Sequence, residues 1–426
     1  MSDDLRTRMH HVADEVTPLP VSADLWRRGR AARRRAQALA VAAVLVVLAS
    51  VGGGVALWSA PDREARTASG EVPEGGAIPS RIEDIPEDLE VTTDLAVGRA
   101  SVAFISGSDD PVVITAVDGV PHRLELPGWD PAWVALALSP DGRTLAHQQA
   151  VDGRTQVALL DLETGRSTPL VVHTGDELKL DGLSWSPRGT WLAWVASAVG
   201  QTPPYAGQVR PSGEESRRVS PPSNVVAVAV ADDGTSALGR VRGGILLWRA
   251  GADLERVPGS VPGSAGAFSP AGSQLALGTA PGTASYTLDV PNQNVVAHPF
   301  PDGTLGEAVV RPLGWMDDRL QVLLAQQLDG DPGELVVTTP EVDDTSTWRR
   351  SVGAVDADVA SSVSLAVDLV PDLDGTSSQE LTHDFGDTAD DPPTPLGIEL
   401  SLFIGLGVAA AIALLLALRR LWRRLT

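Results

Sequence analysis

The chain has 426 residues, no cysteine, and 33 basic against 55 acidic side chains, a formal net charge of −22. Without cysteine there are no disulfides, no zinc–thiolate site and no thiol catalysis. The acidity sits in the middle, where residues 59–396 hold 21 basic and 49 acidic side chains; this argues against nucleic acid or anionic lipid as partners of that region, because the attraction to phosphate is missing.

Residues 1–36 read as a cytoplasmic tail. Leu5, Met9, Val12 and Val16 fall on one face of a short helix that the sequence TPLP ends, and Arg27, Arg28, Arg30 and Arg33–Arg35 follow. Residues 37–58 contain the run ALAVAAVLVVLASVGGGVALW, and residues 397–418 contain LSLFIGLGVAAAIALLLAL. Each supplies about 20 apolar residues, enough to cross a hydrocarbon core of roughly 30 Å as a helix. Arg419, Arg420, Arg423 and Arg424 close the chain in a basic tail, residues 419–426. Positive flanks stay inside, so the expectation is two transmembrane helices, both termini cytoplasmic, and everything between them extracytoplasmic at the cell membrane. Ser401, Gly405, Ala409, Ala413 and Ala417 recur every four residues on the second helix. Such a face admits close backbone approach, to the first helix or to a second copy in a homo-oligomer.

Residues 59–80 and 374–396 are poor in large apolar groups and read as linkers, the second acidic. Between them, residues 81–373 repeat. Five segments align: VALALSPDGRTLAH, DGLSWSPRGTWLAW, VVAVAVADDGTSALGR, SAGAFSPAGSQLAL and VRPLGWMDDRLQVLL. Their turn residues are Ser139, Pro140, Asp141 and Gly142; Ser186, Pro187 and Gly189; Asp232, Asp233 and Gly234; Ser269, Pro270 and Gly272; and Asp317. Proline presets φ, Asp or Ser caps local amides, and glycine accepts positive φ at the end. An apolar residue precedes each tetrad (Leu138, Trp185, Val230, Phe268, Trp315), and another stands three after its last residue (Leu145, Leu192, Ala237, Leu275, Val322). That is a β-hairpin pattern, with Trp185 expected in the blade core. A second hairpin follows in most units, so a period of about 44 residues holds four strands, the pattern of a propeller blade.

The stretch ALSPDGRTLAHQQAVDGRTQVALLDLETGRSTPL resembles a TolB-like or WD-repeat-like blade, although the Trp-Asp dipeptide and Gly-His start of the strict WD repeat are absent. The whole plan also resembles actinobacterial membrane proteins with WD-repeat-like domains. The resemblance implies an all-β fold, a β-propeller, and no particular active site. A looser unit, LAVGRASVAFISGSDDPVVITAVDGVPHRLEL, precedes the five and a partial one, SVGAVDADVASSVSLAVDLV, follows. The expected ring therefore has seven blades, residues 81–93 helping to complete the last, with six as the alternative.

Chemical signals are few. The histidines, His10, His11, His122, His147, His173, His298 and His383, show no metal spacing, and there is no G-x-S-x-G elbow. Asp372, Asp374 and Gly375 read as an acidic turn rather than a calcium loop, because the next alternate position is Thr376. No catalytic residue, metal or cofactor is assigned. The expected function is a non-catalytic binding or scaffold module at the cell envelope, taking a protein or envelope ligand on a propeller face. The alternatives are an envelope sensor that signals through the N-terminal tail, and a propeller hydrolase or lyase.

Overall fold

In the computed structural model, three of the five repeated turns share one device. The serine that opens each turn accepts, through its hydroxyl, the backbone N–H five residues on: Ser139 from Thr144 at 2.9 Å, Ser186 from Trp191 at 3.0 Å and Ser269 from Gln274 at 3.3 Å. Gly142, Gly189 and Gly272 donate back to the serine carbonyls with φ of 73°, 67° and 71°. Leu138 then pairs with Leu145, Trp185 with Leu192 and Phe268 with Leu275, as the spacing requires.

The other two turns begin with Ala231 and Met316 and lack that hydroxyl. They are one residue shorter, and an aspartate takes over the capping. Asp233 Oδ1 accepts from the Thr235 N–H at 2.7 Å; Asp317 Oδ1 accepts from Arg319 at 2.7 Å and Leu320 at 2.6 Å. The register moves by one residue. Val230 faces Ser236 and Trp315 faces Gln321, so Ala237 and Val322 pair instead with Ala229 and Gly314.

The structure describes residues 70–386, apart from 132–134, 152–153, 173–177, 199–204, 222–223, 241–242, 260–262, 283, 301–307, 328–330, 341–346 and 377. The two apolar runs at 37–58 and 397–418, the amphipathic tail, and the small-residue face from Ser401 to Ala417 lie outside the described residues. Among those described, no helix is long and apolar enough to cross a membrane.

Hairpin follows hairpin to make six four-stranded blades. Blade two comprises Leu136–Leu138, Thr144–Val151, Arg154–Asp161 and Ser167–Val171. Blade three comprises Leu178–Trp185, Leu192–Ala198, Tyr205–Val209 and Ser216–Val219. Blades four and five begin at Val225–Val230 and Ser264–Phe268, and blade six at Ala308–Trp315. Blade one is a composite. Its outer strands, Ala100–Ile105, Pro111–Thr115 and Pro121–Leu124, come from the N-terminal side, and its innermost strand is Ser364–Leu365, antiparallel to Ala100–Ile105. Innermost strands touch in the order one to six and back to one, so the ring is closed.

The blade count is therefore six, not seven. The loose first unit and the partial last unit form one blade between them. Residues 81–93 do not complete a seventh blade either: Arg81–Ile82 adds in parallel to the outer strand of blade six, and Val91–Thr92 in parallel to that of blade one. Closure on both sides leaves few exposed sheet edges.

The ring also takes in residues flanking 81–373. Ile78 and Leu381 are buried. Pro79 and His383 form a parallel bridge, with hydrogen bonds of 2.8 Å from Ser80 N–H to the His383 carbonyl and from His383 N–H to the Ile78 carbonyl. The cores lie between blades. The largest joins Ile78, Ile82 and Phe104 with Leu145, Leu335, Leu365 and Val367, so the closing segment is packed into it. Trp191 and Trp194 are the largest fully buried side chains. Trp185, expected in a blade core, is half-buried instead. It faces the centre of the ring and its indole N–H donates to the Ala137 carbonyl of blade two at 3.0 Å. Trp315 repeats this contact, donating to Ala267 of blade five at 2.9 Å.

Candidate functional site

Innermost strands from all six blades enclose a central cavity of about 430 Å³. The wall mixes polar and apolar surface; its small and apolar residues are alanines from blades two, four and five, Gly182, Gly266 and Gly314, and Leu136, Leu313 and Val363. Close packing of strands explains the glycines. A Cβ on Gly314 would stand 2.7 Å from Val367, and one on Gly266 would stand 2.6 Å from Pro312.

The innermost strands of blades three to six each carry a β-bulge, after Leu180, Val225, Ala265 and Pro312. A bulge inserts one residue and re-aims the side chains around it. In blade three the inserted residue is Asp181, exposed and lining the cavity; in blade four it is Val226, 46% exposed on the same wall.

The innermost strands carry three charged residues, Lys179, Asp181 and Arg311, and the last two line the cavity. Arg311 is partly exposed and lines the cavity, and one guanidinium nitrogen donates to the Ala360 carbonyl at 2.7 Å. Desolvation by burial lowers its pKa to about 10. Among the described residues no carboxylate pairs with it.

The turn residues singled out in the sequence lie around one end of this cavity, and Pro140 and Pro187 reach its wall. Others join neighbouring blades. Asp232 Oδ1 accepts from the Thr190 hydroxyl at 2.9 Å and the Arg188 N–H at 3.1 Å of blade three. Asp141 Oδ1 accepts from the Ser139 hydroxyl at 2.6 Å, while its carbonyl takes Nε of Arg99 at 2.5 Å. Asp368 has its carboxyl pKa raised, chiefly by desolvation and next by Asp141.

The described histidines, His122, His147, His298 and His383, are dispersed through the ring. His147 is buried in blade two, its Nδ1 against the Gln148 carbonyl at 3.0 Å, and burial pulls its pKa down to about 4. His298 is buried against the Thr287 hydroxyl at 2.9 Å and is likewise drawn down to about 4 by burial. His122 is lowered by burial against the opposing pull of Asp118. Among the described residues no three His, Asp or Glu side chains are placed to hold a metal. Asp374 binds Thr376 through its own turn, which lowers its pKa. The sequence reading missed Arg311 and Asp181. Each stands four residues before a tryptophan that precedes a repeated turn, Trp315 or Trp185, and that shared position was the available signal.

No family model and no curated protein matches the chain. Among solved structures it is similar to TolB from Acinetobacter baumannii, at 18% identity and a TM-score of 0.41, over 62% of this chain and 66% of that one. The chain thus spans about two thirds of that protein. It is also similar to the β-propeller domain of the Trilobed protease from Pyrococcus furiosus, at 16% identity and a TM-score of 0.39, over 57% and 74% of the two chains. A third similar structure is a nidogen/laminin complex, at 12% identity and a TM-score of 0.38, over 63% and 99%. The fold is a β-propeller. The strand order and closed ring carry that assignment.

Proposed function

We propose that the protein is a membrane-anchored, extracytoplasmic propeller that serves as a binding or scaffold module at the cell envelope, without chemistry of its own. The observation that carries the anchoring is the parallel bridge between Pro79 and His383. It holds the two ends of the ring side by side, each leading toward one of the two apolar runs with their arginine flanks. A ring so held is suited to two neighbouring tethers. The central cavity, walled by every blade, supports the binding role, since ligand sites are concave and carry polar groups that orient the ligand.

The test is a set of fusions to a reporter active only in the cytoplasm, placed at each terminus and within residues 59–69. Signal from both termini and silence from the internal fusion are expected. Signal from the internal fusion, or silence at either terminus, overturns the placement.

A further inference from the structure

We infer that the central cavity is a binding site for a small zwitterion, an amino acid or a short peptide with both ends free, with Arg311 taking the carboxylate and Asp181 the ammonium. The inference rests on the binding-module reading and names the ligand class.

Arg311 is the first ground. A partly covered cation gains from a partner, because desolvating a lone charge is costly. Here a single carbonyl, that of Ala360, occupies one nitrogen. The residue lines the cavity, and a carboxylate is the group whose geometry matches the guanidinium fork.

Asp181 is the second ground. It lines the same cavity, it is exposed, and its innermost strand has a bulge at its own position. Blades three and six stand opposite one another in a ring of six, and each carries one of the two residues on its innermost strand, Asp181 within the bulge and Arg311 paired with Leu324. One positive and one negative group therefore sit on facing walls, with no salt bridge between them.

The surrounding field decides between an anion and a zwitterion. Residues 59–396 carry 28 more acidic than basic side chains, so a simple anion approaches against repulsion whereas a net-neutral ligand does not. A dicarboxylate meets Asp181 as well. Val226 and Leu313 also line the cavity and offer apolar surface to a short aliphatic body. The volume falls within the range of about 300–1,000 Å³ common to small-ligand sites.

The experiment is isothermal titration calorimetry on the full chain in mild detergent, with leucine, trialanine, and trialanine acetylated at its N-terminus and amidated at its C-terminus. Binding of leucine alone identifies a free amino acid as the source, binding of trialanine alone a peptide, and binding of both a site that reads only the charged ends; each supports the inference. The doubly blocked peptide should not bind. Arg311→Gln should weaken binding at least tenfold, Asp181→Asn at least threefold, and Arg311→Lys should recover part of the Arg311→Gln loss. Circular dichroism of each variant shows whether the ring has formed, and the Asp181→Asn and Arg311→Lys measurements carry the test if Arg311→Gln does not fold. No heat from leucine or trialanine, equal binding of the blocked peptide, or unchanged affinity in folded Arg311 and Asp181 variants overturns the inference. The reporter fusions are independent, so a silent titration refutes the ligand and leaves the anchoring standing.

Discussion

Trp194→Ala and Trp185→Ala should differ in cost although both residues lie in blade three. Trp194 is fully buried, and its ring lies over Gly207, where a Cβ would stand 2.6 Å from the indole. The opposing surface is glycine backbone, so no side chain there can swing in to fill the gap. A buried tryptophan covers about 150–250 Å². At about 25 cal/mol/Å² that is roughly 4–6 kcal/mol, in line with the ~3–5 kcal/mol usual for such truncations. Trp185 keeps part of its surface open to the cavity, so it stands to lose less, roughly 3–5 kcal/mol. Its indole bond to Ala137, about 1 kcal/mol, is largely replaced because the freed carbonyl then faces water in the cavity. The expected gap between the variants is about 1 kcal/mol. Urea unfolding of the full chain in mild detergent, followed by far-UV circular dichroism, measures it. Equal losses, or a larger loss for Trp185, would refute the placement of Trp185 on the channel wall.

Gly142 and Gly189 hold the same position in sister turns with φ of 73° and 67°, so alanine at either pays about 1–2 kcal/mol for the left-handed backbone. Gly189 has open space around it, whereas a Cβ on Gly142 would stand 2.1 Å from the Ala100 carbonyl in the composite blade; Gly142→Ala should therefore lower the urea midpoint well below that of Gly189→Ala, and equal midpoints would contradict the packing of the closure. His147 and His298 are buried and neutral with pKa lowered to about 4, so the unfolded chain binds more protons than the folded one below the ordinary histidine value near 6.5. Their contribution is present above about pH 6.5 and is lost as pH falls toward 4. Urea midpoints from pH 7 to 4.5 should drop less steeply in His147→Asn than in the unsubstituted chain, and parallel slopes would show that His147 already accepts its proton in the folded state.

The hairpins could be read from the chain because the turn chemistry is local. A serine hydroxyl reaches an amide five residues away, and the glycine that ends the turn needs a positive φ within the same tetrad. Blade number was not legible for the opposite reason. The strand that closes blade one is two residues long, and its anchors are remote. Ser364 Oγ accepts the Leu138 N–H at 2.9 Å and Ser362 Oγ that of Ile105 at 2.9 Å, across 226 and 257 residues. Nothing in the local pattern of VSLAV names those partners, so the fragments at the two ends of the repeat read as two blades. The same distance hid Ile78 and His383, which look like linker residues until the ends of the ring meet.

The cavity was hidden by a different cause. Alternation along a strand assigns side chains to faces only while the period of two holds, and a one-residue bulge inverts the assignment beyond it. In Leu178–Trp185, Leu178 and Leu180 are buried, the bulge follows, and Asp181 emerges exposed on the channel side. A strict alternation from Trp185 places Asp181 with Lys179, which does not line the cavity. In Ala308–Trp315 the bulge falls after Pro312, beyond Arg311, and the alternation is intact up to the arginine: Ala308, Val310 and Pro312 are buried while Val309 and Arg311 face the other way. On that face Arg311 lines the channel. Its counterpart across the ring becomes visible only when six blades, rather than seven, bring blade three opposite blade six. Blade count and site chemistry are in this way one problem, because the closing strand that sets the number also sets which side chains face each other.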